Sequence, residues 1–271
     1  MMSNQAAVFQ RELGRVTVGD FNASFRGEIY GESGVDADWF ADHVGRNGID
    51  LARSPRWSVD GALGGMALLA FRGERAWVGA FGVVPALRGR GYARRFVADT
   101  LALAAEGGAA SLELEVLERN AAAIALYERG GFATVGELIV WKRARLPVDT
   151  AAADDRARWY DVTEIARIAR RPSTCWQREP PGVAAASPLE AITVPAGYAF
   201  VRRSAARTSI LDAGARDAAS ATALLAALDA RLPEAEPMLL NEPPHGPLHD
   251  ALAAHPVWSE FTRQRRMLAR L

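Results

Sequence analysis

The stretch that decides the fold is residues 83–100, VVPALRGRGYARRFVADT. It begins at the end of an apolar, strand-like run and leads into an alanine-rich segment, residues 91–106, whose composition predicts a helix. Gly89 and Gly91 stand directly before that helix. The N-terminus of a helix has unpaired backbone N–H groups and a partial positive charge, and residues without side chains let an anion approach the backbone. The pattern therefore predicts an anion cradle at the start of this helix.

Two arginines, Arg88 and Arg90, add positive charge to the same loop. Guanidinium groups bind phosphate oxygens well, so a pyrophosphate is the natural ligand for such a loop. A glycine-rich turn with solvated arginines is the alternative interpretation of this stretch alone. The loop is not a P-loop, because no Gly-Lys-Ser/Thr follows, and its glycine spacing differs from that of the dinucleotide-binding fingerprint.

Composition bounds the class of protein. A chain of 271 residues predicts one large or two ordinary domains, and its formal net charge of zero gives no basic field for nucleic acid. The single cysteine, Cys175, excludes an internal disulfide framework. His245 and His249 have helical spacing, but Pro247 lies between them and no third ligand is evident, so we expect no metal site. No apolar run approaches the length of a membrane span or a signal peptide, which predicts a cytoplasmic protein without membrane contact.

The first half of the chain has the pattern of a mixed α/β fold. Turn signals at Asp60-Gly61 and at Arg72-Gly73-Glu74 separate three apolar runs. Residues 111–117, SLELEVL, alternate apolar and acidic side chains like a strand with one solvated face. Helices are predicted at residues 18–30, 37–46, 91–106 and 120–129, and strands at residues 8–16 and 135–141.

The second half is less clearly patterned, and it shows signs of a repeat. Residues 112–145, shifted by 126, fall on residues 238–271 with similar apolar positions but few identities. Residues 147–158 are polar and rich in alanine, as in a linker. We therefore predict a first domain over residues 1–146 and a diverged second copy of the same fold over residues 147–271.

A second motif follows the glycine loop, residues 111–132, SLELEVLERNAAAIALYERGGF. In order and spacing the two motifs resemble those of the GNAT superfamily, the Gcn5-related N-acetyltransferases. The resemblance covers roughly residues 10–145, and the duplicated layout is similar to that of tandem GNAT proteins. The residues that carry it are Arg88-x-x-Gly91-x-Ala93 in the loop, and Leu114-Glu115-Val116, Asn120, Ala123, Tyr127 and Gly131-Phe132 in the second motif.

This resemblance implies an α/β (α+β) GNAT fold, with a mixed central sheet flanked by helices, and acetyl-CoA as cofactor. In the family two strands splay apart to admit the pantetheine arm of coenzyme A. Gly79 and Gly82 would permit a bulge there, although close strand packing explains them equally well. The residues predicted to bind the cofactor are Val83, Val84, Arg88, Gly89, Arg90, Gly91, Tyr92, Ala93 and Asn120.

The resemblance also assigns catalytic roles. Tyr127 lies where the family keeps a general acid for the leaving thiolate, and a phenol is a plausible donor to a thiolate; simple core packing is the alternative. The family often has a base on the fourth strand, but residues 76–84 contain no acid. Glu115 on the next strand is the predicted substitute, with Glu28 second. The alternative role of Glu115 is to stabilise the edge of the sheet, and that of Glu28 is to lie on a solvated helix face.

The activity implied is transfer of an acetyl group from acetyl-CoA to a primary amine by direct attack on the thioester. A protein N-terminus and a small cationic amine remain open as acceptors; the acidic stretch 28–42 would attract the latter. A non-catalytic acyl-CoA-binding or sensor protein is the alternative function. The second half lacks an Arg-x-x-Gly-x-Ala loop, which predicts that it does not bind coenzyme A. The oligomeric state stays open.

Overall fold

The computed structural model describes residues 8–25, 33–146, 157–169, 175–204, 207–233 and 235–271. The chain forms two compact units. Unit 1 consists of the described residues within Met1–Val116, Asn120–Val135 and Met267–Leu271, and unit 2 of those within Leu117–Arg119 and Gly136–Arg266. Across these described ranges, no helix is long and apolar enough to cross a membrane.

Unit 1 is a mixed sheet with helices, as the sequence predicted. The strands are β1 (Phe9–Leu13), β2 (Pro55–Val59), β3 (Ala62–Arg72), β4 (Arg75–Val83) and β5 (Ser111–Leu117), and the helices are α1 (Val18–Phe25), α2 (Ala37–Asn47), α3 (Tyr92–Glu106) and α4 (Ala121–Arg129). The strand order β1-β2-β3-β4-β5 follows the sequence. Neighbours from β1 to β4 are antiparallel, whereas β4 and β5 are parallel and are joined through α3. The predicted mixed α/β fold is confirmed.

Local sequence explains where these elements begin and end. Asp36 caps α2 by accepting a hydrogen bond from the Trp39 N–H at 2.7 Å, as predicted. The turn between β2 and β3 contains Asp60 and Gly61, both with positive φ angles, of 52° and 79°. Positive φ at both central residues is the requirement of the tight hairpin turn that the Asp-Gly pair predicts.

Helix α3 is anchored on the sheet by an aromatic stack. The ring of Phe96 stacks on Trp57 with centroids 4.4 Å apart, and the indole N–H of Trp57 donates to Asp99 at 2.7 Å. A side chain on Gly65 would lie 2.4 Å from the carbonyl oxygen of Gly82 and 3.0 Å from the Phe96 ring. Glycine at this position therefore lets α3 lie close against β3 and β4, which fixes where α3 begins.

Unit 2 repeats the same succession of elements. Its strands are β6 (Ala133–Arg143, from Gly136 onward), β7 (Glu190–Val194), β8 (Gly197–Arg203), β9 (Thr208–Ala215), β10 (Met238–Glu242) and β11 (Trp258–Arg270, as far as Arg266), and its helices are α5 (Val162–Ala169), α6 (Pro180–Ala185), α7 (Ala218–Arg231) and α8 (Pro247–Ala254). The strand order is β11-β6-β10-β9-β8-β7, with β9 and β10 parallel. A shift of 126 carries β5, α4 and β6 onto β10, α8 and β11.

Each unit is completed by a strand from the other half of the sequence. The last residues of the chain, Met267–Leu271, belong to unit 1, where Met267 and Ala269 are buried in the core with Tyr127. Most of β6 belongs to unit 2, where Trp141 lies in the core. The two units therefore do not contain the same residues as the predicted domains, 1–146 and 147–271. Those domain boundaries stay a prediction.

Candidate active site

The glycine loop has the open geometry that an anion cradle needs. Gly89 and Gly91 have φ angles of 73° and 85°, and a Cβ at either position would meet nothing within 4 Å. Gly91 is the N-cap residue of α3, and no side chain caps the helix there. The backbone N–H groups of the first turn, beginning at Tyr92, therefore point to open space at the positive end of the helix dipole.

The two loop arginines differ in position. Arg88 donates from Nε to the Val83 carbonyl and from Nη2 to the Ser24 carbonyl, each at 3.0 Å. It therefore braces the loop against the end of β4 and against α1. Arg90 is exposed and forms no ion pair with any described residue. Of the two predicted anion contacts, Arg90 has the side chain that is available to a ligand.

An opening between β4 and β5 lies beside this loop. The parallel ladder contains only Arg75↔Ser111, Ala76↔Leu112 and Trp77↔Glu113, so β4 from Val78 to Val83 has no described partner on that side. Directly after the last of these pairs, β4 has a bulge in its ladder with β3. Leu68 pairs with Ala80 and Leu69 with Val78, so Gly79 is the extra, unpaired residue of the bulge.

Gly79 satisfies both interpretations of its role. A Cβ there would lie 2.7 Å from Ile49 Cδ1 and 2.7 Å from the Trp77 ring, so the position is tightly packed as well as bulged.

The backbone of β4 offers hydrogen-bonding groups to the opening. The Val84 N–H donates to the Gly64 carbonyl at 3.0 Å, which makes Val83 and Gly65 a non-hydrogen-bonded pair. By the alternation of an antiparallel ladder, the N–H groups of Phe81 and Val83 point away from β3 and toward the opening. The N–H of Val83, a predicted cofactor contact, thus has no partner on β3, whereas the N–H of Val84, also a predicted cofactor contact, is used within the sheet.

Tyr127 lies under the open part of β4. It is buried on α4, and its ring makes edge contacts with Phe81 and Phe132, with centroids 6.0 and 5.6 Å away. Burial raises the pKa of the phenol above its ordinary value. No described residue hydrogen-bonds its hydroxyl. The phenol is therefore protonated at physiological pH.

Glu115 approaches the same opening from the other face of the sheet. Its neighbours on β5, Leu114 and Val116, point into the core cluster that contains Tyr127, and alternation places Glu115 on the opposite face. The indole N–H of Trp77 donates to Glu115 Oε2 at 2.7 Å, which orients the carboxylate. The side chains of Tyr127 and Glu115 therefore lie on opposite faces of the sheet.

Other predicted residues have structural roles or lie elsewhere. Asn120 caps α4 by accepting from the Ala123 N–H at 3.1 Å. Within the acidic stretch, Asp36 is a helix cap and Asp42 lies 3.9 Å from Arg46. Glu28, Tyr30 and Glu32 lie outside the described residues.

His43 is a buried side chain near the backbone of Gly79, a position that the sequence did not suggest. It is buried on α2, its ring stacks on Trp39 at 5.0 Å, and Asn47 Nδ2 lies 3.2 Å from Nδ1. Burial, followed by the charge of Arg46, lowers the pKa of His43 to about 4. A hydrogen bond with the backbone of Gly79 acts in the opposite direction and raises the pKa. The ring is neutral at physiological pH beside the bulge of β4. A lone histidine on a predicted helix gives no signal of this in the sequence.

Comparison with known proteins agrees with this geometry. The family model of the acetyltransferase (GNAT) family matches residues 19–132, which contain the loop, the opening and both candidate catalytic residues. Residues 19–132 are therefore similar to a GNAT domain. No curated protein matches the chain in sequence.

Solved structures match over nearly the whole chain. A GCN5-related N-acetyltransferase from Sphaerobacter thermophilus is similar with a TM-score of 0.63 and 15% identity, covering 97% of this chain and 95% of that one. A GCN5-related N-acetyltransferase from Kribbella flavida has a TM-score of 0.59 and 17% identity, covering 97% and 71%. Eis1 from Mycobacterium abscessus has a TM-score of 0.54 and 20% identity, covering 97% and 74%. At these identities the likeness concerns the fold alone.

Proposed function

We propose that the protein is an acetyl-CoA-dependent N-acetyltransferase whose reaction takes place in unit 1, at the opening between β4 and β5. The observation that carries the proposal is the adjacency of two features. The uncapped glycine N-terminus of α3 accepts an anion, and the unpaired edge of β4 beside it accepts an extended amide chain. Coenzyme A joins a pyrophosphate to an amide-containing arm, so its two parts match these two features.

The residues present fit acetyl-CoA, which would supply a thioester-activated acetyl group. Gly89, Arg90 and Gly91, with the first-turn amides of Tyr92 and Ala93, would hold the pyrophosphate. The edge groups of Phe81 would hydrogen-bond the pantetheine arm. The N–H of Val83 points into the opening, where a backbone donor would stabilise negative charge that develops on the acetyl oxygen.

Two side chains supply the proton chemistry in this proposal. An amine must lose a proton to become a nucleophile, and Glu115 would accept it. The carboxylate is held by Trp77, and it faces the sheet surface on which α2 places Trp39 and His43. Tyr127, on the other face, would donate a proton to the departing sulfur, since its buried phenol stays protonated.

The acceptor in this proposal is a primary amine, either a protein N-terminus or a small cation. The second motif, residues 111–132, supports a protein N-terminus as acceptor. The acidic residues Asp36, Asp38 and Asp42 support a small cation, although Asp36 is also a helix cap. A non-catalytic acyl-CoA sensor is a second candidate, because β4, Arg75–Val83, contains no acidic residue.

One experiment separates the two functions. Calorimetry with acetyl-CoA and a thiol-release assay over peptides and small amines should show binding and turnover, respectively. Binding without turnover on any amine would favour the sensor. Absence of binding to well-folded protein would refute both.

A further inference from the structure

Unit 2 contains an opening like that of unit 1. The parallel ladder of β9 and β10 has only two pairs, Ser209↔Met238 and Ile210↔Leu239. Both strands continue beyond it, to Ala215 and Glu242. In unit 1 the corresponding place is where the arm of coenzyme A is proposed to bind, so the contents of this second opening decide whether unit 2 can bind a cofactor.

The side chain of Arg178 fills this second opening. It comes from a short 3-10 turn, Trp176–Arg178, and its guanidinium bonds to both strands. On β9 it donates from Nε to Asp212 Oδ1 at 2.7 Å and from Nη2 to the Ala213 carbonyl. On β10 its Nη1 donates to the Asn241 carbonyl at 3.0 Å and to Glu242 Oε2 at 2.5 Å.

One of these bonds uses the edge position that a cofactor would need. The Arg216 N–H donates to the Ala196 carbonyl at 3.0 Å, as Val84 does to Gly64. The β8–β9 ladder therefore alternates between hydrogen-bonded and non-hydrogen-bonded pairs in the same order as the β3–β4 ladder. Counted back from these bonds, the carbonyl of Ala213 on β9 corresponds to that of Phe81 on β4. Arg178 thus donates to the carbonyl whose counterpart in unit 1 faces the opening.

The arginine is fixed in place by charge and burial. Arg178 is 1% exposed, and Asp212 and Glu242 are also buried. The Tyr198 hydroxyl donates to the second oxygen of Asp212 at 2.7 Å. Burial alone would lower the pKa of the guanidinium, but the charges of Glu242 and Asp212 outweigh it and keep the pKa above its ordinary value. The group is a permanent cation.

The pyrophosphate end of the site is also closed in unit 2. Residues 84–91 connect β4 to α3, whereas only residues 216–217 connect β9 to α7. Asp217 takes the N-cap position that Gly91 holds in unit 1, and it accepts from the Ser220 N–H at 2.8 Å. Hydrogen bonds from Ser220 lower the pKa of this carboxyl, so an anionic side chain occupies the helix N-terminus.

We propose that unit 2 retains the cofactor opening of the fold but keeps it filled by an internal ligand, the guanidinium of Arg178. The chain consequently binds a single coenzyme A, in unit 1. The number of coenzyme A sites rests on the proposed function. The position of the guanidinium rests only on the contacts of Arg178 in unit 2, so the two statements have separate tests.

Chemical rescue tests the guanidinium site. Arg178→Ala should lower the melting temperature by about 10 °C, since it leaves two buried carboxylates without their cation. Millimolar guanidinium or methylguanidinium should restore at least half of that loss, whereas urea should not. Arg216→Ala, which removes an exposed arginine of the same unit, should show neither effect. Loss of stability without rescue by either cation would overturn the assignment.

Arg178→Lys keeps the test decisive if the alanine variant does not fold. Lysine retains the charge but lacks the fork that reaches both strands, so the variant should melt below the wild type and should not respond to guanidinium. Stability equal to the wild type would overturn the proposal.

Titration with coenzyme A tests the stoichiometry in the wild-type protein. One site per chain is expected, and two sites would overturn the inference. If no coenzyme A binds, the proposed function fails, while the rescue experiment still decides whether Arg178 fills a guanidinium site.

Discussion

Replacing Gly91 by alanine should separate the binding of coenzyme A from the stability of the fold. The residue has a φ of 85°, where an L-residue with a side chain costs about 1–2 kcal/mol. A Cβ at this position meets no atom within 4 Å, so no steric clash adds to that cost. We therefore expect a loss of about 1 kcal/mol in the free energy of unfolding, or about 3 °C in melting temperature.

The same methyl group projects into the space where a phosphate would approach the amides of Tyr92 and Ala93. Loss of even one charge-assisted hydrogen bond is worth about 1.5–3 kcal/mol, so the Kd for coenzyme A should rise at least about tenfold. Isothermal calorimetry measures the Kd, and denaturant unfolding measures the stability.

Gly73→Ala is the matched control. Gly73 has a φ of 58°, lies in the turn between β3 and β4, and also has open space at its Cβ position. The two variants should lose similar stability, and only Gly91→Ala should lose affinity. If Gly91→Ala binds coenzyme A as tightly as Gly73→Ala does, the loop is not the phosphate cradle.

Three further predictions concern the core of unit 1. Tyr127→Phe should lower turnover by about 10²-fold or more with unchanged affinity for coenzyme A, because it removes the proposed proton donor; unchanged turnover would contradict that role. The folded-state pKa of His43, about 4, lies below its value of 6.5 in the unfolded chain. The contribution of His43 to the free energy of unfolding should therefore be fully present above pH 6.5 and fall by up to about 3 kcal/mol as the pH drops to 4. In denaturant unfolding, His43→Gln should show a stability that depends less on pH between those values. Met267→Ala should destabilise unit 1 by about 2–5 kcal/mol, which is measurable as faster hydrogen exchange in β5 and α4. The control, Arg270→Ala at an exposed position, should leave the exchange unchanged. Equal exchange in both variants would argue against the C-terminal strand being part of that core.

Local patterns were sufficient for most elements of unit 1. The Asp-Gly turn, the cap at Asp36, the alternation of residues 111–117 and the glycines before α3 each act over a few neighbouring residues, so the sequence shows them directly. Helix α6 has no comparable signal in the sequence, because the pair Pro180 and Pro181 is more typical of a break in regular structure. Proline fits the first turn of a helix, where its missing N–H is not needed, and α6 begins at Pro180.

The sequence alone thus determined the fold class and the glycine loop, because both depend on patterns among neighbouring residues. Its resemblance to the GNAT superfamily named Tyr127 and Glu115 as catalytic candidates. Only the tertiary structure decided that Arg88 braces the loop, that Trp77 orients Glu115, that Arg178 fills the second opening, and that Met267 completes the core of unit 1. Those contacts join residues far apart in the chain, and their partners depend on how strands and helices pack rather than on their neighbours in sequence.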